Sequence, residues 1–137
     1  MAITFQSQNV SFKLLKQNAV RTWIKDIIHS ENKQTGQLNF VFTGDEELLE
    51  LNKQFLRHNT YTDIITFDSC EGKVINGDII ISVDRVKENA IKFKSEFQNE
   101  LNRVIIHGVL HLCGYKDKTD EQQKEMRAKE DFYLNIF

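Results

Sequence analysis

Val104-Ile105-Ile106-His107-Gly108-Val109-Leu110-His111-Leu112-Cys113-Gly114-Tyr115-Lys116-Asp117 says more about the fold than any other stretch of this chain. Val104, Ile105, Ile106, Val109, Leu110, Leu112 and Cys113 make a helix that is apolar nearly all round, the pattern of a helix buried at the centre of a domain. His107 and His111 stand four residues apart, about one helical turn, so both rings leave the same face one above the other. Gly114 falls where a left-handed residue ends a helix, and the chain can then turn back to bring Asp117 to the same point. The pattern predicts a metal site of two imidazoles and one carboxylate with an open fourth position.

A histidine pair at this spacing is weak by itself, since four histidines in this chain would produce one by chance roughly one time in ten. The glycine and the carboxylate at their places, and the apolar setting, make the full string far more specific. Buried imidazoles without partners cost a few kcal/mol, and a metal satisfies both while the second ring nitrogens donate to carbonyls or carboxylates. Cys113 lies near the opposite side of the helix and reads as core.

At 137 residues, two fifths of them apolar, the chain reads as one globular domain, residues 1–137, with a single core. The start, Met1 to Phe5, lacks a basic region followed by a long apolar run, and no segment reaches the length of a membrane span, so a cytoplasmic protein without membrane contact is expected. Cys70 and Cys113 have no finger spacing and are taken as free thiols. A net charge of −2 does not mark a general nucleic-acid binder, so a polyanion would need a local patch. Lys13, Lys16, Arg21 and Lys25, or Arg85, Lys87, Lys92 and Lys94, offer one, although each group also reads as a solvated helix face.

Residues Ile3 to Val10 suit a first strand, and Ala19, Val20, Trp23, Ile24, Ile27 and Ile28 predict a helix from about Phe12 to Ser30. Leu38, Phe40 and Phe42 alternate as a strand with one face on the core. Thr43 through Glu46 reads as a capping box opening a helix that carries Leu48, Leu51 and Phe55, with Asn52 interrupting the apolar stripe. Ile64 to Phe67 and Asp78 to Ser82 predict two strands pairing antiparallel, followed by a helix through Val86, Ala90 and Phe93. Ser95 with Gln98, and Thr119 with Gln122, read as boxes opening the buried helix and a C-terminal one. The expected class is an α/β (α+β) fold: a mixed, roughly four-stranded sheet packed with helices, with a zincin-like metal helix buried centrally.

Two histidines and a carboxylate with an open position have the composition of a catalytic zinc site, whereas structural zinc is usually closed by four protein ligands rich in Cys. Other divalent transition metals also suit this donor set. The string follows the metzincin pattern H-E-x-x-H-x-x-G-x-x-H with two changes, Gly108 in place of the general-base Glu and Asp117 in place of the last His. Without that Glu ordinary peptide hydrolysis is disfavoured, and Gly108 is expected to leave space beside the metal.

His107-Gly108-Val109-Leu110-His111-Leu112-Cys113-Gly114-Tyr115 resembles the H-G-x-L-H-L-x-G-Y signature of the YbeY family of bacterial metal-dependent endoribonucleases. Leu51-Asn52 through Thr62-Asp63-Ile64-Ile65-Thr66-Phe67 is similar to that family's L-N … T-D-V-L-S-F segment, and Gly77-Asp78-Ile79-Ile80-Ile81-Ser82 to its G-D-I-V-I-S strand. The resemblance implies a zinc-dependent, single-strand-specific RNase acting at the 3′ end of the small-subunit (16S) ribosomal RNA and in ribosome quality control. It implies ribosomal RNA as substrate and the ribosome or ribosome-associated proteins as partners. Where the family ends its motif G-Y-D-H, this chain has Lys116-Asp117, so the third ligand becomes a carboxylate. The column of the family's arginine near the L-N segment holds Leu56, with Arg57 one place later. Arg57 or His58 is the candidate for contact with the scissile phosphate, against a solvated loop.

Asp63 and Asp78 stand at strand entrances, where carboxylates often satisfy turn amides, and Thr62 and Thr66 read as strand packing. A zinc hydrolase of peptide or amide bonds and a non-catalytic ribosome assembly factor with a structural metal are the competing readings.

Overall fold

The computed structural model describes residues 2–58 and 60–137. Along the chain run β1 (Ile3–Ser7), α1 (Gln17–Ser30), β2 (Gln34–Thr43), α2 (Asp45–Leu51) continued by a π-helical turn (Asn52–Leu56), β3 (Ile64–Asp68), β4 (Val74–Ser82), α3 (Val83–Lys92), α4 (Phe97–Leu112) and α5 (Asp120–Asn135). The strands form one mixed sheet in the order β1-β2-β4-β3. β1 and β4 flank β2 in parallel, with Phe5 opposite Phe40 and Phe40 opposite Ile79. β3 closes the edge antiparallel to β4, with Ile64 opposite Ile81.

The alternation in β2 decides which face is covered. Leu38, Phe40 and Phe42 are buried, as are Ile79 and Ile81 beside them, and α1 and α4 pack on this side. Each such side chain removed from water contributes about 1.5–3 kcal/mol. On the opposite face the intervening residues form a polar ladder: Thr4 donates to Asn39 (2.7 Å) and Asn39 to Asp78 (2.9 Å). Asp78 therefore belongs to the open face of the sheet.

Several boundaries differ from the sequence reading. β1 stops at Ser7, and α1 starts at Gln17 because Lys16 takes a left-handed conformation, φ 54°. Phe12 packs from the preceding irregular segment instead, its ring 5.0 Å from that of Phe42 and 6.0 Å from that of Phe97. The expected box at Thr43 is absent: Gly44 occupies the N-cap, and the Thr43 hydroxyl is bonded to the Gln8 carbonyl and Glu47. Nor does Ser95 cap α4. The N-cap there is Glu96, while the Ser95 amide closes the end of α3 on the Ala90 carbonyl. The box at Thr119 and Gln122 is fully formed. Phe93 falls beyond α3 and is 59% exposed. Among the described residues no helix is long and apolar enough to cross a membrane.

Candidate metal centre

α4 carries both histidines, and its apolar residues Leu101, Val104, Ile105, Ile106, Val109, Leu110 and Leu112 are all buried. The helix can lie this close to β3 and β4 because of Gly108, where an added Cβ would stand 2.7 Å from Ile64 Cδ1 and 3.1 Å from Ile79 Cγ2. The expectation that Gly108 opens room beside a metal is thereby corrected: the missing side chain makes room for the sheet.

Gly114, at φ 111°, ends α4. The Tyr115 amide bonds the Leu110 carbonyl and the Gly114 amide that of His111, both at 3.0 Å, the paired bonds of a Schellman cap. The reversal that follows brings Asp117 back over the helix end. Asp117 Oδ2 lies 3.3 Å from His107 Nε2 and 3.4 Å from His111 Nε2, and the two Nε2 atoms are 3.0 Å apart. These are the only three His, Cys, Asp or Glu side chains among the described residues grouped closely enough to hold an ion.

The second ring nitrogens determine what the first can do. His111 Nδ1 is 3.0 Å from the Tyr115 carbonyl, which can only accept, so Nδ1 carries the proton and Nε2 a lone pair. His107 Nδ1 meets Glu130 Oε2 at 2.6 Å, and a carboxylate imposes the same tautomer. Two lone pairs and a carboxylate oxygen thus converge, and one proton between them satisfies only one pair. Tetrahedral coordination at zinc bond lengths separates neighbouring ligand atoms by about 3.3 Å, close to all three distances. The donor set fits a divalent cation.

Glu130 comes from α5, is 4% exposed, and is held by Arg103 Nη1 at 2.8 Å. A carboxylate bonded behind a ligating imidazole fixes the ring and raises its basicity. Burial pulls the His107 pKa down, but the bond and charge of Glu130, together with Asp117 and Asp63, outweigh it and hold the ring above its ordinary value. The same negative field attracts a cation.

His107 and Asp117 line a cleft of about 470 Å³ that also contains Asp63, Asn89, Glu100 and Arg127. Burial is the main cause that pushes both Asp63 and Glu100 above the ordinary carboxylate range. Asp63 accepts a bond from Asn89 Nδ2 at 3.3 Å, and both side chains line this cleft. Arg57, at φ 57°, and His58 are both exposed and lie outside the residues lining the cleft. Of the basic candidates, Arg21 bonds the Ile3 carbonyl and Arg85 pairs with Asp45, both at 2.8 Å. Cys70 and Cys113 are free, and burial pushes the Cys113 thiol up to about 12.

Glu130 and Arg103 escaped the sequence reading. Glu130 is 23 residues beyond His107 on another helix, and no spacing rule connects them.

A family model described as Endoribonuclease YbeY matches residues 2–137. The chain belongs to the YbeY endoribonuclease family. YbeY relatives include the endoribonuclease of Flavobacterium psychrophilum, 49% identical over 93% of this chain and 91% of its own. That of Christiangramia forsetii is 49% identical over 98% and 94%. A Thermotoga maritima protein solved in solution is 32% identical, with a TM-score of 0.70, over 98% of this chain and 87% of its own.

Proposed function

We propose that the chain cleaves single-stranded RNA with one zinc ion held by His107, His111 and Asp117. The observation supporting this most directly is the convergence of two Nε2 lone pairs and Asp117 Oδ2 within 3.0–3.4 Å, with both Nδ1 protons committed elsewhere. A zinc ion bound there supplies Lewis acidity toward a phosphoryl oxygen and a water of lowered pKa.

The chain's own residues do the rest. Glu130 and the Tyr115 carbonyl hold the imidazoles in the tautomer that presents Nε2. Gly108 stands where the metzincin pattern carries its general-base Glu, and the lack of that side chain favours the phosphodiester reading over the amide one. Arg127 stands exposed on the cleft wall without a side-chain partner among the described residues, available to a phosphate of the strand. Arg57 and His58, exposed on the segment before β3, are the proposed contacts for the scissile phosphate. Kinship supports ribosomal RNA as the substrate, cut at the 3′ end of the small-subunit RNA in the cytoplasm, with ribosome-associated proteins as partners.

Zinc-loaded protein incubated with single-stranded RNA and with a peptide library is expected to cut RNA alone. His111→Ala abolishes the cut, while Arg57→Ala and His58→Ala each slow it with zinc content unchanged. Equal cleavage by His111→Ala sinks the metal reading, and unchanged rates in the other two remove them from the site. A chain that unfolds on chelation and never cuts RNA would carry a structural ion instead.

A further inference from the structure

We propose that Glu31 is a positioning residue for the metal centre, acting through Tyr115 on both His111 and Asp117. The inference rests on the ligand assignment above and concerns what aims those ligands.

Glu31 caps the end of α1, and its side chain is 11% exposed. One carboxylate oxygen accepts the Tyr115 hydroxyl at 2.6 Å. The other accepts the Tyr133 hydroxyl and Lys129 Nζ, the latter at 3.3 Å. The Lys129 ammonium also stands 5.8 Å from the Tyr115 ring centroid. Three donors from two regions of the chain therefore converge on one carboxylate, and a neutral amide in its place would lose the charge and one acceptor oxygen.

Tyr115 is the connection to the site. Its carbonyl sets the tautomer of His111, and Asp117 follows two residues later on the same short loop between α4 and α5. The Schellman bonds secure the beginning of that loop on α4, and Gln123 Nε2 holds the Asp117 carbonyl from α5 at 3.1 Å. The Tyr115 hydroxyl adds the tie to α1, so the loop is pinned from three helices. Without it the phenol can swing, and both the carbonyl behind His111 and the Asp117 carboxylate lose their fixed aim.

Five proteins decide the matter: wild type, Glu31→Gln, Tyr115→Phe, Tyr133→Phe and His111→Ala. Zinc affinity is measured by competition with a chromophoric chelator, thermal stability without zinc, and the His111 tautomer from imidazole ¹⁵N shifts. Glu31→Gln and Tyr115→Phe are expected to weaken zinc binding about tenfold, as loss of support behind a ligand does, and to mix the His111 tautomers. Tyr133→Phe removes a donor from the same carboxylate but leaves Tyr115 tied, so it lowers the melting temperature while zinc affinity stays within about twofold. If Glu31→Gln and Tyr115→Phe melt earlier yet bind zinc as tightly as wild type, Glu31 is a structural tie only and the proposal falls. Should Glu31→Gln fail to fold, Tyr115→Phe decides by the same criterion. A wild type that binds zinc no better than His111→Ala overturns the ligand assignment itself, a result distinct from tight wild-type binding with unaffected variants.

Discussion

At the scale of single residues, the centre depends on groups whose partners are far away in sequence. Glu130 is nearly inaccessible, bonded to His107 on one side and Arg103 on the other. Glu130→Gln preserves shape but removes the charge that favours a cation and leaves one acceptor oxygen for two donors, His107 Nδ1 and Arg103 Nη1. Zinc affinity is expected to fall about 10–100-fold, measured by chelator competition; an unchanged affinity would mean that His107 is oriented by packing alone. Gly108 makes a contrasting case. In Gly108→Ala the methyl would enter space held by Ile64 and Ile79. Overpacking costs about 1–3 kcal/mol, and the helix propensity gained returns at most about 1. Urea unfolding should therefore show a net loss, relieved by adding Ile64→Val, which shortens the crowded side chain.

At the scale of elements, three helices end alike. α1, α3 and α4 each close with paired amide-to-carbonyl bonds around a left-handed residue: Asn32 at φ 61°, Lys94 at φ 55° and Gly114 at φ 111°. Glycine takes this conformation freely and asparagine tolerates it, whereas a lysine carries a Cβ penalty of roughly 1–2 kcal/mol. Lys94→Gly is expected to stabilise the protein by about 0.5–1 kcal/mol in urea unfolding, and a loss would show that the lysine side chain contributes more than its backbone costs. These ends explain an uneven legibility of helix boundaries. The Thr119–Gln122 box was readable because both its bonds are local, while Ser95 and Gln98 have the same spelling but Ser95 is already engaged in closing α3. A capping motif read from the letters alone cannot show that its amide is taken by the preceding helix.

Across the whole molecule, buried carboxylates pull stability in opposite directions with pH. Burial raises the Glu31 pKa, but the bonds from Tyr115, Tyr133 and Lys129 outweigh it and leave it below the ordinary range. Its contribution is present above the unfolded carboxylate value and lost as pH falls through the folded one. Glu100 is the reverse: burial raises it, so the native state holds its proton longer than the unfolded chain and stability declines as pH rises between the two values. Urea unfolding from pH 3 to 8 should therefore show Glu31→Gln with a flatter acid limb than wild type. Glu100→Gln should be more stable than wild type at the neutral end and should lose that advantage in acid. Parallel curves for all three proteins would contradict both assignments.

Periodicity and local chemistry sufficed for the alternating core strand, the antiparallel pair at the edge, the buried histidine helix and its glycine stop, because each depends on neighbours a few residues apart. The meeting of His107, His111 and Asp117 was likewise legible, since a single helical turn and one reversal span it. What stands behind those side chains was decided by tertiary packing alone. Glu130 from α5, Glu31 at the end of α1 and the β-sheet beneath Gly108 reach the centre through contacts between distant segments, and no spacing within one stretch of chain encodes them.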